Sequence, residues 1–150
     1  MSPFNQKVVV ICMLMLLSVQ YVHSVQVNAL NSIDGLFNKI HVNIANSLEG
    51  NLDLTLNCKS KDDNLGVHLL HHGETFSFTF RPKWFAKTLF FCSFAWTGEF
   101  HWFDIFIDWD RPRADCHNCN WNVYKSGPCR TPESKSHTPT PICFPWNKPQ

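Results

Sequence analysis

Six cysteines follow a single hydrophobic leader in this chain, and they constrain its fold more than any other feature. An even set of cysteines after an export signal predicts an oxidising compartment, where thiols are held as disulfides. We therefore expect all six to form structural disulfides, whereas the seventh cysteine, Cys12, lies in the leader. The six are Cys58, Cys92, Cys116, Cys119, Cys129 and Cys143.

The leader has the pattern of a signal peptide. Lys7 precedes an apolar run at residues 8–17, which is shorter than the roughly 20 residues that a membrane-spanning helix needs. The small-residue spacing at Val22 and Ser24 predicts cleavage after Ser24, with Ala29 as a second option and an uncleaved membrane anchor as the alternative. We expect a signal peptide at residues 1–24 and a secreted, extracellular domain at residues 25–150 that does not span a membrane.

The charge balance bears on the kind of partner. The chain has 13 Lys and Arg residues against 12 Asp and Glu residues, and Lys7 is lost with the leader. The secreted part is therefore formally neutral, histidines aside. Proteins that bind nucleic acid through its phosphates carry a clear excess of Lys and Arg, so we expect no nucleic-acid partner.

Period-two alternation dominates the secreted part and predicts an all-β chain. Strand patterns occur at residues 40–44, 52–58, 67–69, 76–80, 88–96, 100–107 and 120–124. Residues 49–51 predict a hairpin turn, and residues 88–96 are apolar on both parities, as is typical of a strand covered on both faces. Residues 32–38 support a short helical turn at most. The sequence thus predicts a small, disulfide-stapled antiparallel β-sandwich of about seven or eight strands, with an extended surface tail at residues 130–141.

The pairing of the cysteines stays open, because six cysteines allow fifteen combinations. Our preferred set is Cys58–Cys129, Cys92–Cys119 and Cys116–Cys143, since it joins inward-facing strand cysteines to the late hairpin. The last of these bonds rests on elimination alone. The spacing of Cys116 and Cys119 also fits half a zinc site, but export leaves few cysteines reduced, so we expect no metal.

No arrangement in the sequence is typical of an enzyme. His101 and Asp104 lie three apart on one predicted strand, so they face opposite sides and form no dyad. No nucleophile-elbow motif is present, and we expect no catalytic residue and no cofactor. An unpaired carboxylate at Asp104, between aromatic neighbours, would be costly to bury. We expect it to be a structural carboxylate that accepts hydrogen bonds from the backbone or an arginine.

The loop at residues 108–118 is the predicted recognition surface. It combines charges of both signs with a tryptophan, and Trp and Arg are common anchors of protein interfaces. Cys116 would fix one end of the loop and lower the entropy lost on binding. An ordinary solvated loop is the alternative, and the polar loop at residues 59–64 is a second candidate. The predicted binding residues are Asp108, Trp109, Asp110, Arg111, Arg113 and Asp115.

A set of motifs in a fixed order resembles the plant self-incompatibility S-protein homologue family. The resemblance spans roughly residues 39–147. It is carried by LTLNCKSKDDNLG at 54–66, RP at 81–82, LFFCSFAW at 89–96, HWFDIF at 101–106, CHNCNW at 116–121, GPC at 127–129 and CFPWN at 143–147. The Asp-Ile-Tyr that is common in the family is here Asp104-Ile105-Phe106, which lacks one hydroxyl.

The resemblance implies a small secreted β-sandwich without known enzymatic activity. Founding members of the family are stigma proteins that act as ligands for a pollen receptor. We therefore expect an extracellular ligand or interaction protein, whose partner is an extracellular protein or a membrane receptor. The alternative is a secreted defence or toxin-like protein that acts on membranes or pathogens, although the neutral charge counts against it. An extracellular hydrolase is a third, weaker possibility.

Overall fold

The computed structural model describes residues 3–35, 39–82, 86–133 and 140–148. They belong to two compact units, Met1–Asn38 and Lys39–Gln150. The described part of the first unit is one helix, α1 (Pro3–Gly35). The described part of the second contains nine strands and one short helix.

Helix α1 carries the apolar leader. Within it, Gln6–His23 has a mean hydropathy of 1.5 and is long and apolar enough to cross a membrane, a property that signal sequences share. The helix runs on to Gly35 because no Gly or Pro interrupts residues 4–34. The expectation of a short helical turn at most is therefore wrong for residues 32–35, and residues 36–38 lie outside the described residues.

The second unit is a two-sheet sandwich, as the sequence predicts. Its elements are β1 (Ile40–Asn46), β2 (Leu54–Lys59), β3 (Asn64–Leu70), β4 (Thr75–Phe80), β5 (Leu89–Trp96), β6 (Glu99–Ile107), α2 (Arg111–Ala114), β7 (Asn118–Tyr124), β8 (Gly127–Thr131) and β9 (Ile142–Cys143). One sheet has five strands in the order β4-β1-β7-β8-β9, and the other has four in the order β3-β2-β5-β6. One pair, β1 with β7, is parallel, because the whole four-stranded sheet lies between these strands in the chain.

The core lies between the two sheets and is built from alternate residues of the strands. Its largest fully buried side chains include Trp121, Phe94 and Phe103, which come from both sheets. Burial of a side chain of this size contributes about 1.5–3 kcal/mol each. In the strands where hydrophobic and polar residues alternate, the pattern that predicts the strand therefore also identifies the face that points inward.

The connection from β1 to β2 crosses between the sheets and is not the hairpin that the sequence suggests at residues 49–51. Asn46, which is fully buried, holds this crossing. Its side-chain amide donates to the carbonyls of Leu52 and Leu70 at 2.8 and 2.9 Å, and its side-chain oxygen accepts the Leu48 N–H at 3.1 Å. Leu48 is also buried, so the chain after β1 passes along the edge of the core to the other sheet and does not form a hairpin with β1.

Strand β5 is covered on one face only, against the expectation from its two apolar parities. Phe90, Cys92 and Phe94 are buried in the core. The alternate residues, including Phe91, are half-buried on the outer face of the four-stranded sheet. The extra apolar residues therefore belong to an outer surface, which no further layer covers among the described residues.

The three disulfides are Cys58–Cys92, Cys116–Cys119 and Cys129–Cys143, so the preferred pairing is wrong at every bond. Two of the bonds join residues that lie directly opposite on neighbouring antiparallel strands, β2 with β5 and β8 with β9. Their Cα atoms are 4.0 and 3.9 Å apart. These cysteines thus pair within one sheet, where the strand register places them opposite each other, and not across the core.

The predicted surface tail begins too early. Arg130 belongs to strand β8 and is 2% exposed, because this strand pairs with β7 on one side and β9 on the other. Gly127 lets the returning chain approach closely, since a Cβ there would overlap the Phe144 carbonyl. Residues 134–139 of the predicted tail lie outside the described residues.

Candidate recognition surface

The six predicted binding residues lie on one short stretch between β6 and β7, here called the 108–115 segment. It forms a turn at residues 108–110 and then the four-residue helix α2. Pro112 lies in the first turn of α2, where its missing N–H would have no intrahelical partner. The segment is therefore a defined turn and helix, and not an irregular loop.

Asp108 attaches the start of the segment to the neighbouring strand. Its side-chain oxygen accepts the Thr88 N–H at 2.6 Å, and its own N–H donates to the Thr88 carbonyl at 3.1 Å. Thr88 directly precedes β5, so these two bonds extend the β5–β6 pairing past Ile107. The half-buried Asp108 thus supports the segment and is not a free contact group.

Arg113 points back towards the core. Its guanidinium lies 3.2 Å from the Asp110 carboxylate and is centred 5.1 and 5.2 Å from the rings of Phe103 and Phe144. The side chain is 20% exposed. The ion pair joins Arg113 to Asp110, and the cation–π contacts attach Arg113 to the aromatic rings of the core. Together they fix this part of the segment against the sandwich.

Arg130 holds the far end of the segment, although the sequence pattern places it in the surface tail and gives it no role in the site. Its Nε donates to the Pro112 carbonyl at 2.9 Å, and its Nη1 donates to the Asp115 carbonyl at 3.2 Å. Carbonyls at the end of a helix lack intrahelical donors, so this buried guanidinium satisfies two of them. The available signal was its place directly after Cys129, inside a possible strand.

The Cys116–Cys119 bond closes the segment at its C-terminal end. It ties Cys116 to the second residue of β7 across a Cα–Cα distance of 5.2 Å. Both sulfurs are consumed by this bond, so the alternative of a zinc half-site is wrong. Within the described ranges, no three His, Cys, Asp or Glu side chains are grouped so that they could hold a metal ion.

The exposed residues of the segment are Trp109, Arg111, Pro112 and Asp115. Trp109 is 54% exposed, and the Lys87 ammonium lies 4.8 Å from the centre of its ring. The structure therefore divides the six predicted residues into two groups. Three are exposed, while Asp108, Asp110 and Arg113 are half-buried and support them.

Asp104 lies on the outer face of the four-stranded sheet and is only half-buried. Among the described residues its carboxylate makes no hydrogen bond to a backbone N–H or to an arginine. Its expected structural role therefore stays a prediction.

The family model and the curated relatives that match this chain belong to the same plant family. The family model of plant self-incompatibility protein S1 matches residues 41–146. S-protein homolog 29 of Arabidopsis thaliana is 40% identical over 111 residues, which cover 74% of this chain and 80% of that protein. S-protein homolog 2 of Arabidopsis thaliana is 44% identical over 112 residues, which cover 71% of this chain and 68% of that protein.

A structural comparison finds a solved structure from the self-incompatibility protein homologues, described as a widespread family of small, highly stable, secreted proteins from plants. It covers 75% of this chain and 97% of the solved chain, with a TM-score of 0.46 and 17% sequence identity.

Proposed function

This chain belongs to the plant self-incompatibility protein S1 family, and we propose that it is a secreted interaction protein that binds an extracellular protein or a membrane receptor. The contact surface in this proposal is the exposed part of the 108–115 segment, with Trp109, Arg111 and Asp115. The observation that carries the proposal is the exposed Trp109 on a segment whose two ends are fixed to the sandwich, at Asp108 by Thr88 and at Pro112 by Arg130.

The way the segment is held supports this role. Association is weakened by the entropy of ordering loops and side chains, about 0.5–1.5 kcal/mol for each immobilised flexible side chain. Here Arg130, Arg113 and the Cys116–Cys119 bond already order the backbone in the free protein. Trp109 supplies apolar contact area, and Arg111, Lys87 and Asp115 supply charges of both signs for orientation.

Secretion is part of the proposal. The six bonded cysteines fit an oxidising compartment, whereas the one free cysteine, Cys12, lies within the leader. We place cleavage after Ser24, which removes the apolar part of α1 and leaves a protein that does not span the membrane. Amino-terminal sequencing of the secreted protein should begin at Val25; a protein that stays in the membrane fraction with residues 1–24 attached would contradict this.

The proposal includes no catalytic step, no cofactor and no nucleic-acid partner. Formal neutrality argues against phosphate-backbone binding. The family assignment favours a ligand-type protein, and pollen rejection is one role within that class.

The test is saturable binding of fluorescently labelled secreted protein to intact plant protoplasts. The double substitution Trp109→Ala with Arg111→Ala should weaken competition with the labelled protein by at least about tenfold, because it removes two interface anchors without touching the supporting contacts. The matched control is Val67→Ala, an exposed apolar residue on the four-stranded sheet, which should compete like the unsubstituted protein.

A second arm exchanges the whole 108–115 segment for the corresponding segment of S-protein homolog 29. The fold should be kept, as judged by an unchanged thermal midpoint, while competition should now follow the donor protein. Binding that survives both changes at full strength would show that another surface makes the contact.

A further inference from the structure

A second surface lies on the outer face of the four-stranded sheet and shares no residue with the 108–115 segment. It is a shallow depression of about 410 Å³, here called the aromatic corner. It is formed by Phe91, Trp102, Asp104, Asn147 and Lys148.

The fold builds this corner from two strands and the end of the chain. Phe91 of β5 is paired with Asp104 of β6, and Trp102 follows on the same outer face. The Asn147 N–H donates to the Trp102 carbonyl at 3.0 Å, which lays the last described residues along the open edge of β6. The corner is therefore part of the sheet and not of a separate loop.

Two aromatic rings form the apolar wall of the corner. The centres of Phe91 and Trp102 are 5.9 Å apart, and their planes are inclined at 48°. Trp102 is 43% exposed, and Phe100, whose ring centre lies 5.4 Å from it, is 58% exposed. Aromatic rings of this kind bury a large apolar area when a ligand covers them.

The polar groups around these rings have unmet hydrogen-bonding capacity. Asp104 forms neither a hydrogen bond nor an ion pair among the described residues. Its carboxylate is only half-buried, so a ligand in the corner can reach it. Covering such an acceptor without giving it a donor costs about 1–3 kcal/mol, so a ligand that fills the corner has to donate a hydrogen bond to Asp104.

The charges restrict the class of ligand. A cation facing Asp104 would be repelled by Lys148 and by Lys59, which is paired with Phe91. An anion facing the two lysines would be repelled by Asp104. A neutral ring with an apolar C–H face and several hydroxyl groups meets neither penalty, since it can cover the indole while donating to Asp104 and accepting from the lysines and Asn147.

We propose that the aromatic corner binds a neutral saccharide chain. The depression is shallow, so a sugar chain lies across it with only part of its surface buried, and the affinity is in the range of about 0.1–1 mM. This site is separate from the 108–115 segment, so a negative result for saccharide binding would leave the proposed protein-binding role unaffected, and the reverse is also true.

The experiment titrates the secreted, disulfide-bonded protein with cellohexaose and, separately, mannohexaose, and follows the tryptophan indole N–H resonances by NMR. At least one of the two neutral hexamers should shift the Trp102 indole resonance saturably, and the Trp109 resonance should stay in place. Trigalacturonate and a chitosan hexamer are the anionic and cationic probes, and both should bind at least about tenfold more weakly than the neutral chain.

Two substitutions test the residues. Asp104→Ala and Trp102→Ala should each weaken binding about tenfold or more, while Val67→Ala, on the same face outside the corner, should leave it unchanged. Each variant counts as folded if its thermal midpoint lies within about 2–3 °C of that of the unsubstituted protein. A shift of this size corresponds to a change of about 0.5 kcal/mol in the free energy of unfolding. The proposal is overturned if neither neutral hexamer moves the Trp102 resonance at about 10 mM. It is also overturned if a charged probe binds more tightly, or if Asp104→Ala binds as the unsubstituted protein does.

Discussion

The outer faces of the two sheets differ in how their polar groups are satisfied. On the five-stranded sheet, the Ser77 hydroxyl donates to the Asn43 side-chain oxygen at 2.7 Å, and the Asn43 amide donates to the Asn120 side-chain oxygen at 2.8 Å. The Asn122 amide donates to the Thr131 hydroxyl at 3.1 Å in the same way. This face completes its own hydrogen bonds across four strands.

The four-stranded sheet does the opposite. Val67 and Leu69 are 69% and 57% exposed at one edge, and Phe100 is 58% exposed at the other. Between them, the side-chain oxygen of Asn57 has no donor. A face whose polar groups bond to one another needs only water. A face with exposed aromatic rings and an accessible carboxylate, Asp104, gains free energy from a ligand that covers the rings and donates to the carboxylate. This difference is why we place the saccharide site on the four-stranded sheet.

The first and largest test of the comparison removes the cross-strand disulfide of each sheet in turn. Cys58→Ala with Cys92→Ala opens a link of sequence separation 34, and Cys129→Ala with Cys143→Ala opens one of separation 14. Restriction of the unfolded chain predicts losses of about 4 and about 3 kcal/mol in the free energy of unfolding. The first loss is raised further because Cys58 and Cys92 are fully buried in the core.

Guanidinium unfolding of the two double variants checks this order. If opening Cys129–Cys143 cost more than opening Cys58–Cys92, loop length and burial of the bond would not determine the order of the two losses. Cys12→Ala in the unprocessed chain is the control, since Cys12 is a free cysteine in the leader.

The second test compares one asparagine from each face. Asn43→Ala removes two side-chain hydrogen bonds and should lower the free energy of unfolding by about 1–2 kcal/mol. Asn57→Thr removes an unsatisfied oxygen and adds a residue that favours strands, so it should leave stability unchanged or raise it by up to about 1 kcal/mol.

Thermal and urea unfolding of both variants measure the two effects. Opposite signs would support the contrast between a satisfied and an unsatisfied face. Equal losses would mean that Asn57 has a partner in solution, such as bound water, and that the two faces do not differ in this respect. Thr55→Ala, also half-buried on β2, is the control for an outer-face substitution on that strand.

Much of this fold follows from the sequence, because alternation is a local property. Seven strands are predicted from local patterns, and where hydrophobic and polar residues alternate the inward face is predicted too, as with Val42 and Ile44 or Leu54 and Leu56. The crossing at Asn46 is not predicted, since its three hydrogen bonds depend on where the chain returns many residues later. The cysteine pairing fails for the same reason, because it depends on which strands are neighbours.

The recognition segment is predicted in place but not in detail. Its composition identifies residues 108–115, whereas its division into exposed and supporting residues needs the positions of Phe103, Phe144 and Arg130. The aromatic corner is hidden in the sequence for a different reason. Both faces of β5 carry apolar residues, a pattern that fits a strand covered on both faces as well as a strand with one open face. Only the structure shows that the face with Phe91 is open.

The smallest expected effect is a change in the pKa of a histidine at one end of the four-stranded sheet. There a histidine and a carboxylate form a pair, whereas the Asp104 carboxylate on the outer face of this sheet has no partner among the described residues. His71 follows β3 and Asp53 precedes β2, and the Asp53 carboxylate lies 2.8 Å from the His71 Nδ1. The hydrogen bond to Asp53, with its negative charge and that of Glu74, raises the pKa of His71 above its usual value.

Because the raised pKa belongs to the folded state, the contribution of this pair to stability is fully present below the ordinary histidine pKa of about 6.5. It is lost as the pH rises through the higher pKa of the folded state. Asp53→Asn should therefore lower the pKa of His71 towards its ordinary value, as measured by NMR titration of its ring C–H resonance. Glu74→Gln should lower it by less, since Glu74 is the weaker cause. An unchanged pKa in Asp53→Asn would show that the pair is not formed in solution, and that the ends of this sheet are as unpaired as its outer face.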